Sequence, residues 1–263
     1  MFIVQTAALS RDLSELRAEI QWQDELRQSL YSANPSLAPI ALDNAALSVL
    51  RRSAPPKLAW QVFDACAAVT RIYALMERAI CELVEEYVRQ IGLIFQDYSK
   101  LNESLRVQHR IGVGHILSKW SPTRTLYSNL SEDAIAAGLA DGLRGNGYKL
   151  LSDAFLTDTD NYRSDVITRI FNKLGVSGAF DRAVKIIDAK LLCERILSAG
   201  DTPSSYLNRL VSERNEAAHG SLSSVSSVGQ LLEYAEFVEI LVECLAMLLR
   251  SQIVDSALAA GTA

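Results

Sequence analysis

The sequence predicts an all-α protein, and three observations carry that reading. Aromatic residues are only 7% of 263, while Ala and Leu recur throughout, a composition that favours helix over sheet. Glycine (13) and proline (6) are sparse and fall at a few breaks. Between those breaks apolar residues advance by three or four positions, the helical period. With 49% hydrophobic content the chain can fill a sizeable core, which excludes disorder as a general state.

Residues 5–31 carry Leu13, Leu16, Ile20, Leu26 and Leu30 among charges, the single apolar stripe of a packing or partner helix. Asn34-Pro35 through Pro39 breaks that helix, and Ala54-Pro55-Pro56 breaks the chain again. Residues 32–57 therefore read as a connection with at most a short helix at 43–51. Arg51 and Arg52, with Lys57, form a small basic cluster, either a solvated loop or a contact to phosphate. From Leu58 to about Gln96 the pattern is helical without proline: Val62, Cys66, Val69, Tyr73, Met76, Ile80, Leu83, Tyr87 and Ile91 share one face. This longest element should be the spine of a bundle. Glu77 lies between its apolar positions, as a boundary glutamate or as a site residue.

Beyond Lys100 the periodicity weakens. Leu105–Trp120 and Ser131–Leu143 read as shorter helices, the second opened by Ser131 with Glu132 and Asp133 in its first turn. Gly142–Gly147 is a turn that lacks the lysine-serine pair of a phosphate loop. Leu150–Leu156 is apolar, and Thr157–Asp160 is a polar loop and helix start. Helices follow at about 161–174 and 179–198, separated by Gly175 and Gly178. A serine-rich connection at 221–227 leads to a last long helix ending near Ile253. The expected domains are thus an N-terminal helix and connection (1–57), a helical domain (58–253) with an insert at about 98–159, and a flexible tail (254–263).

Charge and cysteine usage exclude several classes. Glu233, Glu236, Glu239 and Glu243 make an acidic stripe on the last helix, which rules that apolar segment out as a membrane span. Met1-Phe2-Ile3-Val4 has no basic leader region, so a cytoplasmic protein is expected. Cys66, Cys81, Cys193 and Cys244 stand apart amid apolar neighbours and read as reduced core thiols. Three scattered histidines without carboxylate spacing argue against a metal site, and no cofactor is expected.

The stretch with the most chemistry is Leu210–Gly220. Thr202-Pro203 supplies an N-cap and a first-turn proline, and Gly220 supplies a left-handed stop just after His219. Tyr206, Leu207, Leu210 and Val211 form the buried stripe, while Asn215 and His219, four apart, share a face. Arg214 and His219 are five apart, about 140° around the helix and about 7.5 Å along it. Arginine's long stem can cover that gap, or a second copy of the chain can complete the pair across a two-fold axis. A second Arg-x4-His spacing, Arg110–His115, encloses Gly112 and Gly114 and no asparagine, so it should make a poor helix.

Arg214-Asn215-x-x-x-His219-Gly220, on the penultimate helix of an all-helical chain, resembles the RNA-cleaving signature of the HEPN superfamily. Tyr73-Ala74-Leu75-Met76-Glu77 and Ile170–Val176 resemble its RiboL-PSP-like branch, in which a long helix with an aromatic and a glutamate precedes an insert and the Arg-Asn helix. The likeness covers about residues 58–96 and 160–250. It implies an antiparallel helical bundle with extra helices inserted between the long helix and the Arg-His helix. It also implies a composite site at a homodimer cleft, with Arg214, Asn215, His219 and Glu77 as its residues and Glu77 accepting from Arg214 or orienting His219. The implied activity is metal-independent endonucleolytic cleavage of RNA, tRNA or mRNA, by a toxin or phage-defence effector with a neutralising partner protein.

An acidic chain of formal charge −5 is not steered to RNA by its net field, so RNA binding requires a local basic patch. Residues 161–214 hold nine basic against six acidic residues, and Arg209, Arg51 and Arg52 are the phosphate-contact candidates. The same residues also fit a non-catalytic helical interaction module, in which Arg214 and His219 satisfy buried polar partners, or a nucleotide-binding module without cleavage.

Overall fold

The 3.6-residue period that runs through the sequence is realised as ten α-helices among the described residues, with no strand. The computed structural model describes residues 2–32, 40, 43–121, 127, 130–144, 150–157, 161–219, 226–259 and 261. The predicted breaks at Asn34–Pro39, the second half of the Gly142–Gly147 turn, Asp158–Asp160 and Gly220–Val225 lie outside the described residues. The helices are α1 (Ile3–Tyr31), α2 (Asn44–Ser53), α3 (Lys57–Ile94), α4 (Glu103–Lys119) and α5 (Glu132–Arg144). They continue as α6 (Ser164–Lys173), α7 (Ala179–Ala183), α8 (Ile187–Ile196), α9 (Pro203–Ala218) and α10 (Val228–Ala259).

The chain divides into two compact units. One comprises residues 1–6, 77–191 and 241–263, the other residues 7–76 and 192–240. In the first, Phe155, Phe171 and Phe180 are fully buried with Ile80 and Leu83 of α3, and the Tyr87 hydroxyl donates to the Leu174 carbonyl (2.9 Å). His109 is buried on α4. Its Nε2 accepts from the Leu151 amide (3.1 Å), so the imidazole proton sits on Nδ1, facing the Tyr98 hydroxyl at 3.3 Å. That hydroxyl in turn donates to the Arg106 carbonyl (3.1 Å).

The helix read at Leu105–Trp120 is α4, and the expectation of a poor helix at Gly112 and Gly114 is corrected, because α4 runs through both. The reason lies across the core. A Cβ at position 112 would stand 1.9 Å from the Ala154 carbonyl oxygen, so the missing side chain is what lets the 3₁₀ turn Ser152–Ala154 pack against α4. The predicted helix 179–198 is divided into α7 and α8, the amides of Lys185 and Ile186 bonding three residues back to Arg182 and Ala183. The β-branched Val184, Ile186 and Ile187 at the break are weak helix formers. The tail expected from residue 254 is helical to Ala259, since Ala257, Leu258 and Ala259 are strong helix formers.

In the second unit α1 buries Leu9, Leu13, Leu16, Ile20 and Leu30 as its spacing predicts. Arg27, 4% exposed, replaces Leu26 on that stripe and is held by Asp24 (2.7 Å) and by Asp64 of α3. Two carboxylates meet one buried guanidinium, which keeps the charge paired. The rest of this core includes Val69, Ile72, Tyr73 and Met76 of α3, Tyr206, Leu207, Leu210 and Val211 of α9, and Leu231, Tyr234 and Val238 of α10. Arg17 and Arg195 pair with Glu239 and Glu236, so half of the acidic stripe on α10 fastens neighbouring helices within this unit.

Candidate functional site

Helix α9 begins and ends where its sequence says it should. The Thr202 hydroxyl accepts from the Ser205 amide (3.1 Å), the Ser205 hydroxyl accepts from the Thr202 amide (2.8 Å), and Pro203 fills the first helical position. His219 is the C-cap residue, its amide bonded to the Glu216 carbonyl at 3.0 Å. The buried stripe Tyr206, Leu207, Leu210 and Val211 sets the rotation of the helix and thereby fixes which way the next turn presents its polar residues.

On that turn the half-buried Arg214 lies over the ring of Tyr73, with the guanidinium carbon 4.5 Å from the ring centroid. Tyr73 is 1% exposed, so the ring is a fixed platform under a planar cation. Arg214 Nη1 donates to Asn215 Oδ1 at 3.1 Å. The structure thus brings Arg214, Asn215 and Tyr73 together. His219 stands at the exposed end of the same helix, five residues on.

Glu213 is a buried residue beside the candidate site that the sequence reading missed. Its side chain is buried between α9 and the start of α10 and accepts from Ser226 (2.6 Å), Tyr234 (3.0 Å) and Gln230 (3.3 Å). This carboxylate ties the residue before Arg214 to the next helix. The signal was present: positions 206, 210 and 213 are spaced by four and three, which puts Glu213 on the buried stripe. Burial and the Glu213 carboxylate beside it both push the Tyr234 hydroxyl far above its usual value.

The other expected site residues fall elsewhere. Glu77 is half-buried, one turn beyond Tyr73 along α3, and belongs to the first unit. Arg209 Nη2 bonds both oxygens of Asp201 (2.9 and 2.8 Å) near the start of α9, so an RNA phosphate there would compete with a carboxylate. The Arg51 guanidinium donates to the carbonyls of Leu30 and Ser32, closing the end of α1, and Arg52 Nε donates to the Ser48 carbonyl (3.2 Å). These contacts give Arg51 a structural role at the end of α1. Of the basic excess over 161–214, Arg169 and Arg195 are also in ion pairs, with Asp165 and Glu236. The second Arg-x4-His spacing lies on α4, with Arg110 exposed and His115 half-buried.

Beside the end of α9, an open groove of about 580 Å³ runs along the N-terminal half of α3. Ala59, Val62, Phe63, Ala67 and Ala74 line it together with Ala217, two residues before His219. Phe63 is 71% exposed there, which is unusual for a large apolar side chain. Among the described residues no group of three or more His, Cys, Asp or Glu side chains is arranged to hold a metal ion. No described helix is long and apolar enough to cross a membrane.

Comparison with known families adds one finding. The family model described as RiboL-PSP-HEPN matches residues 19–250, a span that includes Tyr73, Arg214, Asn215 and His219. No curated protein and no solved structure matches.

Proposed function

The chain belongs to the RiboL-PSP-HEPN family, and on that premise we propose that it is a metal-independent endoribonuclease whose reacting groups are Arg214 and His219. Family membership gives the coarser statement, an RNA-related, nuclease-type role. The observation that carries the finer reading is Arg214 lying over the ring of Tyr73 beside Asn215, five residues before an exposed histidine on a capped helix.

The chemistry follows from what RNA cleavage needs. The ribose 2′-oxygen attacks the adjacent phosphorus and the bond from phosphorus to the 5′-oxygen breaks, leaving a 2′,3′-cyclic phosphate and a 5′-hydroxyl. One group must take the 2′-proton, another must protonate the departing oxygen, and the extra negative charge must be met by a cation. Arginine's planar fork suits the phosphate oxygens, and Asn215 fixes that fork at Nη1. Histidine serves either proton step near neutral pH. One protomer brings one such histidine to this helix, so two protomers paired about a two-fold axis would supply the base and the acid. The groove at Phe63 and Ala67, next to Ala217, is the face we assign to that second copy. The enzyme is proposed to act in the cytoplasm as a toxin or phage-defence effector, held in check by a partner protein.

Wild type, Arg214→Ala and His219→Ala are incubated with total RNA in EDTA, and the ends are mapped. Wild type yields cyclic phosphate ends and both variants lose cleavage; a wild type that cuts nothing, or variants that cut equally well, defeats the proposal. Phe63→Glu should convert a dimer to a monomer on light scattering and abolish cleavage with Arg214 and His219 untouched. One observation favours a second reading. The half-buried Arg214 is engaged by Tyr73 and Asn215, as a scaffold arginine would be, and that reading gains if the dimer forms without any nuclease activity.

A further inference from the structure

A cavity of about 830 Å³ in the first unit shares no residue with the proposed nuclease site. Its floor is apolar: Tyr87 and Ile91 of α3, Leu101, Leu105 at the start of α4, and Leu174 after α6 are all buried. The one hydroxyl on that floor, Tyr87, is already bonded to the Leu174 carbonyl (2.9 Å). The volume falls in the range of cavities that enclose small molecules.

The rim has a definite electrical character. None of the lining residues is acidic, in a chain with 31 acidic residues, and Lys100 is the single charged one. The two asparagines on the rim have their amide oxygens occupied. Asn102 Oδ1 accepts from the Ser104 amide (2.8 Å), and Asn172 Oδ1 accepts from the Gly178 amide (3.2 Å). Each oxygen is thus engaged once, and the NH2 groups are the donors that these two side chains bring to the rim. Gly175, at φ +86°, turns the chain so that Asn172, Leu174 and Ser177 form one wall. A mouth of neutral amides and hydroxyls with one ammonium and no carboxylate, above an apolar floor, is complementary to a ligand with an apolar body and an anionic head.

We infer that this cavity binds a small organic anion: an apolar or aromatic body seated on Ile91, Leu105 and Leu174, with one carboxylate, sulfonate or phosphate facing Lys100, Asn102 and Asn172. The site stands independently of the assignment of Arg214 and His219, since no residue is shared.

Two dyes of one scaffold test it on the full-length protein: 8-anilinonaphthalene-1-sulfonate, and N-phenyl-1-naphthylamine, which lacks the sulfonate. Wild type should bind the sulfonate dye saturably at one site per chain, about five-fold or more tighter than the neutral dye. Lys100→Gln should erase that preference and leave the neutral dye's affinity unchanged. Ala259→Trp, which puts an indole at the mouth from an exposed position, should weaken both dyes about ten-fold. Binding that does not saturate, equal affinity for the two dyes in wild type, a preference that survives Lys100→Gln, or dye binding unaltered by Ala259→Trp would each overturn the inference.

Discussion

Replacing Glu213 by alanine removes the acceptor for two buried hydroxyls and one amide, those of Ser226, Tyr234 and Gln230. A buried donor left without its acceptor costs about 1–3 kcal/mol, and two of the three donors are in that position, so about 3 kcal/mol of stability should be lost. For a chain of this size that corresponds to a melting temperature lower by about 6–12 °C. Glu213→Gln keeps one carbonyl acceptor and a similar shape, and the hydroxyls can turn to accept from its NH2, so about 1 kcal/mol is expected. Urea unfolding of wild type and both variants at neutral pH measures the difference. RNA cleavage follows it: the alanine variant loses the tie that holds the turn bearing Arg214, and the glutamine variant keeps most of it. If alanine falls within about 1 kcal/mol of wild type, or glutamine is as damaging as alanine, Glu213 is not the anchor described.

Three other outcomes are expected. Burial lowers the His109 pKa from 6.5 to about 4, so the unfolded chain takes up a proton at this position before the folded one does. Its contribution is complete above pH 6.5 and is lost as pH falls toward 4, about 3 kcal/mol over that window; in unfolding titrations the gap between wild type and His109→Gln should narrow there, and a constant gap would refute it. Gly112→Ala should destabilise by about 2 kcal/mol against the Ala154 carbonyl, whereas Gly114→Ala, with nothing within 4 Å, should stabilise by up to about 1 kcal/mol; equal effects in calorimetry would show that α4 is not packed this way. Tyr73→Leu should slow RNA cleavage by about ten-fold while Tyr73→Phe, which keeps the ring, stays near wild type; equal rates would remove the platform from the mechanism.

What could be read from the sequence was local. Thr202, Pro203 and the 206–211 stripe fix α9 through interactions within a few residues, and the structure reproduces that helix down to its N-cap. The long run from Leu58 likewise became α3, one residue longer at its start. What escaped depends on partners distant in the chain. Arg27 and Glu213 obey the spacing of buried residues, yet a charged side chain reads as solvated until Asp64, or Ser226 and Tyr234, are brought to it by other helices. Gly112 looked like a helix breaker because its reason for being glycine is the backbone of Ala154, over forty positions away. The carbonyls of Leu30 and Ser32 that Arg51 bonds were hidden for the same cause, being about twenty positions away.

The glutamates of α10 bear on how such a protein can meet a polyanion. Glu236 and Glu239 face Arg195 and Arg17 of their own unit, the unit that also holds Arg214. Their negative field is cancelled at short range, and a counter-charge a few ångströms away leaves little to repel a strand approaching from solvent. An acidic isoelectric point therefore overstates the repulsion close to these two glutamates, because each is paired by a side chain whose first task is to hold helices together.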